Sequence, residues 1–200
     1  MVKNRNADTC KNCGELIYYG GNNPCAECTD SNNFEIERAE ACMLIEQKWE
    51  SLLLKHGIGT VSEEEQLHTV LDIYHDTDFH KVIWEASTEL LPKLEVQVVI
   101  DGKNNCFVST GTSGYVDFFQ PPVGMTLPIR CWIHTHPFGE AYFSGTDIRT
   151  VSIWEINMEC AYVLGGIGHY GFWSQTNPKQ LEIYMNDIQI KTQTWGSEEE

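Results

Sequence analysis

The chain has 200 residues, of which 29 are acidic and 13 basic, giving a formal net charge of −16 at pH 7. Because nucleic-acid binding needs clustered lysine and arginine, this balance argues against a nucleic-acid partner. The length suits one domain with a substantial hydrophobic core and a small appendage, and no stretch approaches a membrane span. The first residues, Met-Val-Lys-Asn-Arg, form no apolar signal stretch, so the sequence predicts a cytoplasmic protein.

Two Cys-x-x-Cys pairs near the N-terminus predict a structural zinc site: Cys10 with Cys13, and Cys25 with Cys28. Each pair presents two thiolates to one ion, and two pairs close a tetrahedral four-sulfur site. We therefore expect a small zinc ribbon over residues 1–30, with a hairpin strand at 16–19 and a turn at 20–23. Disulfides are disfavoured in a reducing cytosol, and a redox dithiol would need a strand–helix context that is absent.

Residues 31–77 are predicted to form connecting helices between the ribbon and the main domain. A cap within residues 31–33 opens the first helix, and the capping-box pattern at 62–65 opens the second. The spacing leaves open whether these helices cover the main domain or bind a partner. The stretch 72–80 concentrates acids and histidines, and it favours a capped helix junction over a second metal site because no ligand spacing repeats there.

A helix, a break and a strand follow in residues 78–102. Apolar positions recur with helical spacing, and a proline then ends the helix. Glu85 and Glu89 lie on the solvated face of this helix, whereas Glu95 opens the strand that follows. All three carboxylates are candidates for acid–base chemistry at a nearby site.

The run from His134-Thr-His136-Pro to Ser144-Gly-Thr-Asp147 predicts an open metal site. The histidines lie two apart on an apolar, strand-like stretch, so both imidazoles project from one face. Asp147 falls in the first turn of the next helix, where its carboxylate faces back toward the imidazoles. Three protein ligands are typical of a catalytic zinc with an open fourth position, whereas a structural zinc usually takes four. The alternative is a core strand followed by a Ser-x-x-Asp helix cap.

This run resembles the motif of the JAMM (MPN+, JAB-domain) zinc metalloproteases, which consists of a distant Glu, then His-x-His-Pro, then Ser-x-x-Asp. The histidines, serine and aspartate match the family spacing, and Thr135 stands where the commonest family form has serine. The resemblance implies that His134, His136 and Asp147 bind a catalytic zinc ion. It also implies that Ser144 donates a hydrogen bond to the oxyanion of the reaction.

The resemblance also selects a general base among the three carboxylates. In the family, the base opens a strand after a helix and a break, and a glycine follows seven residues later. Glu95 and Gly102 match that placement. We therefore expect Glu95, rather than Glu85 or Glu89, to move protons for a zinc-activated water.

Strand-like segments on both sides of the motif predict an α/β fold. They lie at 95–100, 106–109, 115–119, 160–164 and 169–173. We expect a mixed sheet flanked by helices. We expect an MPN-like catalytic domain over 78–194, of which the resemblance covers roughly 78–173, and an acidic, disordered tail at 195–200. The remaining cysteines are predicted to be small core residues: Cys42, Cys106, Cys131 and Cys160.

The resemblance implies a zinc-dependent hydrolase that cleaves a peptide or isopeptide bond at the tail of a ubiquitin-like protein. Two zinc ions are then expected, one catalytic and one structural, together with a protein substrate and no membrane or nucleic-acid partner. Two alternatives stay open. One is a non-enzymatic interaction or assembly module with structural zinc, and the other is peptide cleavage in phage tail processing or in a RadC-like role.

Overall fold

The structure is a computed structural model, and it describes residues 8–9, 16–17, 26–58, 73–91, 93–112, 116, 118 and 121–195. The chain divides into two compact units, Met1–Glu40 and Ala41–Glu200. Helix α1 spans Ala26–Lys55 and therefore contributes residues to both units. Among the described residues, no helix combines the length and the apolar character that crossing a bilayer requires.

The first unit contains a two-stranded antiparallel ladder in which β1, Asp8–Thr9, pairs with β2, Leu16–Ile17. The predicted hairpin strand is therefore present at its first two residues, and the strand that pairs with it precedes it in the chain. The other features of the predicted ribbon lie outside the described residues: Cys10, Cys13, Cys25 and the turn at 20–23. Cys28 lies in the first turn of α1. The zinc ribbon stays a prediction.

Helix α1 is 30 residues long, and the predicted start at a cap within 31–33 is wrong because these residues lie inside the helix. Serine and asparagine cost only about 0.5–0.7 kcal/mol each in a helix interior relative to alanine. This small cost allows the helix to continue through residues 31–33. In the second unit, the buried residues of α1 recur every three or four positions: Ala41, Ile45, Trp49 and Leu52. The predicted second connecting helix, from 62, lies outside the described residues.

A seven-stranded mixed sheet in the order β4-β3-β5-β6-β7-β8-β9 is the centre of the second unit. The strands are β3 Val96–Ile100, β4 Cys106–Thr110, β5 Ile129–Thr135, β6 Met158–Gly166, β7 His169–Ser174, β8 Gln180–Met185 and β9 Ile188–Thr194. Neighbours are antiparallel except β5 and β6. A parallel pair needs a crossover connection, which α3, Gly145–Trp154, and a short 3₁₀ turn, Glu155–Asn157, provide.

Helices cover both faces of the sheet. Helix α2, Thr77–Glu85, continues into one π-helical turn, Ala86–Leu90. The α2 residue His80 packs on Tyr162 of β6, with 4.9 Å between ring centroids. Successive strand residues point to opposite faces, and Ala161 belongs to the core cluster on the other face, which α3 joins through Val151. The predicted α/β fold, with a mixed sheet flanked by helices, is confirmed at this level.

One local prediction is wrong, and the predicted tail begins at least one residue too early. Of the strand expected at 115–119, the described residues are Val116 and Phe118, which are buried but belong to no strand. Phe118 instead stacks on Trp132 and Trp154, with centroid distances of 6.2 and 5.2 Å, so aromatic packing replaces a ladder there. Trp195, which the sequence places in the tail, packs against the core and donates its backbone N–H to the Lys179 carbonyl at 3.1 Å.

Candidate metal centre

Strand β5 and the start of α3 bring three metal-ligating side chains together. His134 lies near the end of β5, His136 directly follows the strand, and Ser144 is the N-cap of α3. The Ser144 hydroxyl accepts the Asp147 N–H at 3.3 Å, and Asp147 Oδ2 accepts the Ser144 N–H at 2.7 Å. The Ser-x-x-Asp pattern is thus a capping box, and that box fixes the Asp147 carboxylate toward the histidines.

The distances between the three side chains suit one metal ion. Nε2 of His134 lies 3.1 Å from Oδ1 of Asp147, and Nε2 of His136 lies 3.4 Å from Oδ2. One ligand atom from each residue falls within 4.8 Å of the other two, and no other group of this kind occurs among the described residues. Bonds of about 2.0–2.1 Å to a tetrahedral zinc ion separate neighbouring ligand atoms by about 3.3 Å. The trio could therefore bind a metal ion.

The contacts of His134 favour a bound metal ion most directly. The residue is fully buried, its Nδ1 has no hydrogen-bond partner among the described residues, and the polar atom that faces its Nε2 is Asp147 Oδ1, at 3.1 Å. The ring stacks on Trp132, 4.3 Å away, which holds its orientation. Burial lowers the pKa of His134 although the Asp147 carboxylate acts the other way, so the imidazole is neutral at pH 7. A buried imidazole without hydrogen bonds is costly, and a metal ion at Nε2 would remove part of that cost.

His136 and Asp147 are held by different contacts. Nδ1 of His136 lies 3.0 Å from the Glu140 carbonyl oxygen, which fixes Nδ1 as the protonated nitrogen and leaves Nε2 facing Asp147. Burial opposes a charge on His136, but the Asp147 and Glu95 carboxylates and the Glu140 carbonyl together raise the pKa of the imidazole. Burial likewise opposes ionisation of Asp147, yet the two imidazoles and Ser144 hold the pKa of that carboxyl well below its usual range. Asp147 is therefore an anion ready to bind a cation.

Glu95 lies in the same pocket, immediately before β3. The pocket has a volume of about 240 Å³, and its lining includes Glu95, His136, Ser144 and Asp147. Glu95 is 6% exposed. Burial raises the pKa of Glu95 to about 7, with the neighbouring His136 lowering it and Asp147 raising it. A carboxyl group that titrates near neutral pH can both take and return a proton.

The other candidate carboxylates are elsewhere. Glu89 is exposed, Glu85 forms an ion pair with Lys81 at 3.6 Å, and neither lines the pocket. Cys131, three residues before His134, points to the opposite face, and burial raises the pKa of its thiol well above the usual value. It cannot act as a nucleophile at this site.

The prediction of small core residues holds for only two of the four other cysteines. Cys131 and Cys160 are buried, whereas Cys42 and Cys106 are partly exposed.

Several residues at the pocket were not anticipated. Phe138 and Tyr142 lie at its rim and are 67% and 44% exposed, and Lys93 Nζ sits 5.6 Å from the Phe138 ring centroid. Trp132, which supports His134, lies two residues earlier on the same strand face. Its spacing was a usable signal, because alternate strand residues share a face. The rim residues come from a loop, and their sequence carried no comparable signal.

Comparison of the chain with protein-family models, with curated proteins and with solved structures gives no match.

Proposed function

We propose that the chain is a zinc-dependent hydrolase of the JAMM type that cleaves a peptide or isopeptide bond of a protein substrate, at the tail of a ubiquitin-like protein. The observation that carries the proposal is the convergence of His134, His136 and Asp147 at a pocket that His136 and Asp147 line together with a buried carboxylate, Glu95. Two imidazoles and a carboxylate are a typical ligand set for a catalytic zinc, and they leave a fourth position for substrate or water.

The metal would be held by Nε2 of both histidines and by the Asp147 carboxylate. The observation that favours this fit is that Nε2 of the fully buried His134 and Nε2 of His136 both face the Asp147 carboxylate, at 3.1 and 3.4 Å. When bound, zinc supplies Lewis-acid chemistry: it polarises a substrate carbonyl and makes a water molecule a stronger nucleophile near neutral pH. A second, structural zinc would be held by Cys10, Cys13, Cys25 and Cys28.

Glu95 would act as the general base and then as the general acid. Its carboxylate would take a proton from the attacking water and hand that proton to the nitrogen of the departing amine. The pKa of Glu95 is raised to about 7 by burial, and a nearby cation would lower it again and so favour the proton-accepting form. The same carboxyl group can therefore be ionised before attack and protonated after it.

Ser144 would stabilise the oxyanion. Its hydroxyl oxygen accepts the Asp147 N–H at 3.3 Å, which leaves the hydroxyl hydrogen to be donated into the pocket. A preorganised donor of this kind typically contributes about 3–4 kcal/mol of transition-state stabilisation. The exposed aromatic rings of Phe138 and Tyr142 at the rim suit contact with an extended segment of a protein substrate.

Zinc analysis followed by a cleavage assay tests the proposal. Reporters fused to the C-termini of diverse ubiquitin-like proteins, and short peptides, would be incubated with the purified chain and with the Asp147→Ala variant. We expect cleavage by the wild type and none by the variant. A protein that binds its full complement of zinc and cleaves none of these substrates would instead be an interaction or assembly module, and cleavage of peptides alone would indicate a processing protease.

A further inference from the structure

Glu95 lies just beyond the end of the ladder between β3 and β5. That ladder pairs Ile100 with Cys131 at one end and Gln97 with His134 at the other. On its β4 side, Glu95 is bonded through its backbone, because its N–H donates to the Thr112 carbonyl at 2.8 Å and its own carbonyl accepts the Gly111 N–H at 2.9 Å. Backbone hydrogen bonds therefore hold Glu95 on its β4 side. On its β5 side the ladder has already ended, so side chains have to supply the hydrogen bonds there.

A pair of buried hydroxyls provides the anchor toward β5. The Thr135 hydroxyl accepts the Val96 N–H at 3.0 Å and donates to the Ser87 hydroxyl at 2.9 Å. Ser87, in the π-helical turn after α2, donates in turn to the Leu94 carbonyl. The hydrogen bonds therefore reach the residue on each side of Glu95.

We propose that Thr135 and Ser87 are positioning residues that hold the carboxylate of Glu95 at a fixed place relative to the metal ligands. Thr135 lies between His134 and His136 on β5, and its side chain points to the opposite face, toward Ser87. The backbone that carries the two imidazoles thus also holds the segment that carries the base. The catalytic part of this inference rests on the proposed function of Glu95.

The hydrogen bonds of the two hydroxyls have a defined direction, and burial shields the hydroxyls from solvent. Thr135 and Ser87 are fully buried, so each polar group needs a partner inside the protein. One hydroxyl donates one hydrogen bond and accepts others, and here the donors run in one sense from Val96 through Thr135 and Ser87 to Leu94. Removing either hydroxyl would leave a buried donor or acceptor unpaired and would release one side of the Glu95 segment.

Four variants separate positioning from general stability. Thr135→Val keeps the shape of the side chain and removes the hydroxyl, and Ser87→Ala removes the other hydroxyl. Thr135→Ser restores the hydroxyl and is the rescue variant. Thr126→Val is the control, because the partly exposed Thr126 donates its hydroxyl hydrogen to the buried Asp101 at 2.8 Å, in a separate network away from the pocket.

Turnover, KM, zinc content and thermal unfolding would be measured for each variant on a ubiquitin-like protein fused to a small reporter. Thr135→Val and Ser87→Ala should lower kcat by about tenfold to a hundredfold, because small displacements of a catalytic group have effects of this size. KM and zinc content should stay near wild type, and Thr135→Ser should recover most of the turnover. Combining Thr135→Val with Glu95→Gln should add little to the loss caused by Glu95→Gln alone.

Amide hydrogen exchange, followed by NMR, gives a readout that needs no substrate. In Thr135→Val, the Val96 amide should lose protection while the Val98 amide keeps it, and Thr126→Val should change neither. Retained Val96 protection, or a kcat of Thr135→Val equal to that of Thr126→Val, would overturn the inference. A wild type that cleaves nothing would defeat the proposed function alone, because selective loss of Val96 protection would still support the hydroxyl anchor.

Discussion

The metal centre and the α2 junction at residues 73–80 both concentrate histidine and aspartate, and the two regions use these side chains differently. At the junction, His80 Nε2 lies 2.7 Å from the Tyr74 carbonyl, His75 Nδ1 lies 3.0 Å from the Tyr162 hydroxyl, and Asp76 caps α2 by accepting the Phe79 N–H at 2.9 Å. Each of these polar atoms has a protein partner, so the predicted helix junction agrees with the contacts.

At the metal centre, the side chains leave their donor atoms facing one another. His134 Nδ1 has no hydrogen-bond partner among the described residues, and the two oxygens of Asp147 lie 3.1 Å from Nε2 of His134 and 3.4 Å from Nε2 of His136. Local abundance of histidine and aspartate therefore does not identify a metal site. Convergence of three ligand atoms within 4.8 Å of one another is the feature that favours a metal site, and the following experiments test that distinction.

Removing a ligand should have the largest effect. His134→Ala and Asp147→Ala should each lose the catalytic zinc and all measurable cleavage, because a three-ligand site cannot spare a ligand. His80→Ala should keep the zinc and instead lower the free energy of unfolding, because it creates a cavity and leaves the Tyr74 carbonyl without its partner. Metal analysis and thermal unfolding would check both. Loss of zinc in His80→Ala with His134→Ala unaffected would reverse the assignment of the two regions.

Removing the base should come next in size. Glu95→Gln replaces a carboxylate by an amide of nearly equal shape, so zinc should stay bound while turnover falls about a hundredfold to ten-thousandfold. Glu85→Gln and Glu89→Gln are matched controls outside the pocket and should resemble the wild type. Turnover and zinc content would be measured on one substrate. If Glu89→Gln were inactive and Glu95→Gln active, the base would have to be reassigned.

Ser144→Ala should have a somewhat smaller effect that separates two roles of one residue. Loss of the helix cap should cost about 1 kcal/mol of stability, and loss of an oxyanion donor should lower kcat by about a hundredfold to a thousandfold. Zinc should be retained. Steady-state kinetics beside a thermal melt distinguish the two roles, since normal turnover in a slightly less stable protein would leave Ser144 only its capping role.

The α2 junction should respond to pH through His80. Burial lowers the pKa of His80 to about 4 from an ordinary value of 6.5, so the unfolded chain binds more protons than the folded chain between these values. The contribution of neutral His80 to the free energy of unfolding is therefore fully present above pH 6.5. About 3 kcal/mol of it is lost as the pH falls from 6.5 through 4. Denaturant titrations from pH 7 to 4 would measure the free energy of unfolding of the wild type and of His80→Gln. We expect the wild type to lose more stability than the variant, and an equal loss in both would contradict this expectation.

The smallest effect on catalysis is expected in the N-terminal region. Cys10→Ser combined with Cys13→Ser should lower the zinc content from two ions to one and leave cleavage of a small peptide unchanged. The four thiolates and the pocket ligands are separate donor sets, so cobalt substitution should show one sulfur-rich and one nitrogen–oxygen spectrum. If the folded wild type bound only one zinc ion, then either the predicted ribbon site or the predicted pocket site would be wrong.

Local spacing predicted much of the site, because its ligands depend on strand alternation and on one helix cap. Strand alternation puts His134 and His136 on one face, and the helix cap directs Asp147 toward them. Glu95 was chosen by its place after a helix and a break, and the structure puts it in the same pocket as the ligands. Whether it acts as the base stays a prediction.

Other features depend on contacts between distant parts of the chain, and local pattern does not contain them. The Thr135–Ser87 hydrogen bond joins residues 48 positions apart, and Phe118 leaves its expected strand to stack on two tryptophans. The extended N-terminal start of α1 reflects a different limit. Capping residues signal a possible helix start, but their cost inside a helix is small, so the helix can begin earlier, here at Ala26.

The capping box at Ser144 has a consequence for ion selectivity. Because Asp147 Oδ2 accepts the Ser144 N–H at 2.7 Å, the carboxylate has little freedom to rotate or to bind an ion through both oxygens. Calcium needs six to eight oxygen ligands in a pliable arrangement, and magnesium needs a regular octahedron with several waters. A carboxylate locked by its own helix, opposite two fixed imidazoles, suits a small ion that accepts nitrogen ligands and four-fold coordination. We therefore expect the helix cap to favour binding of a zinc-like ion over calcium or magnesium.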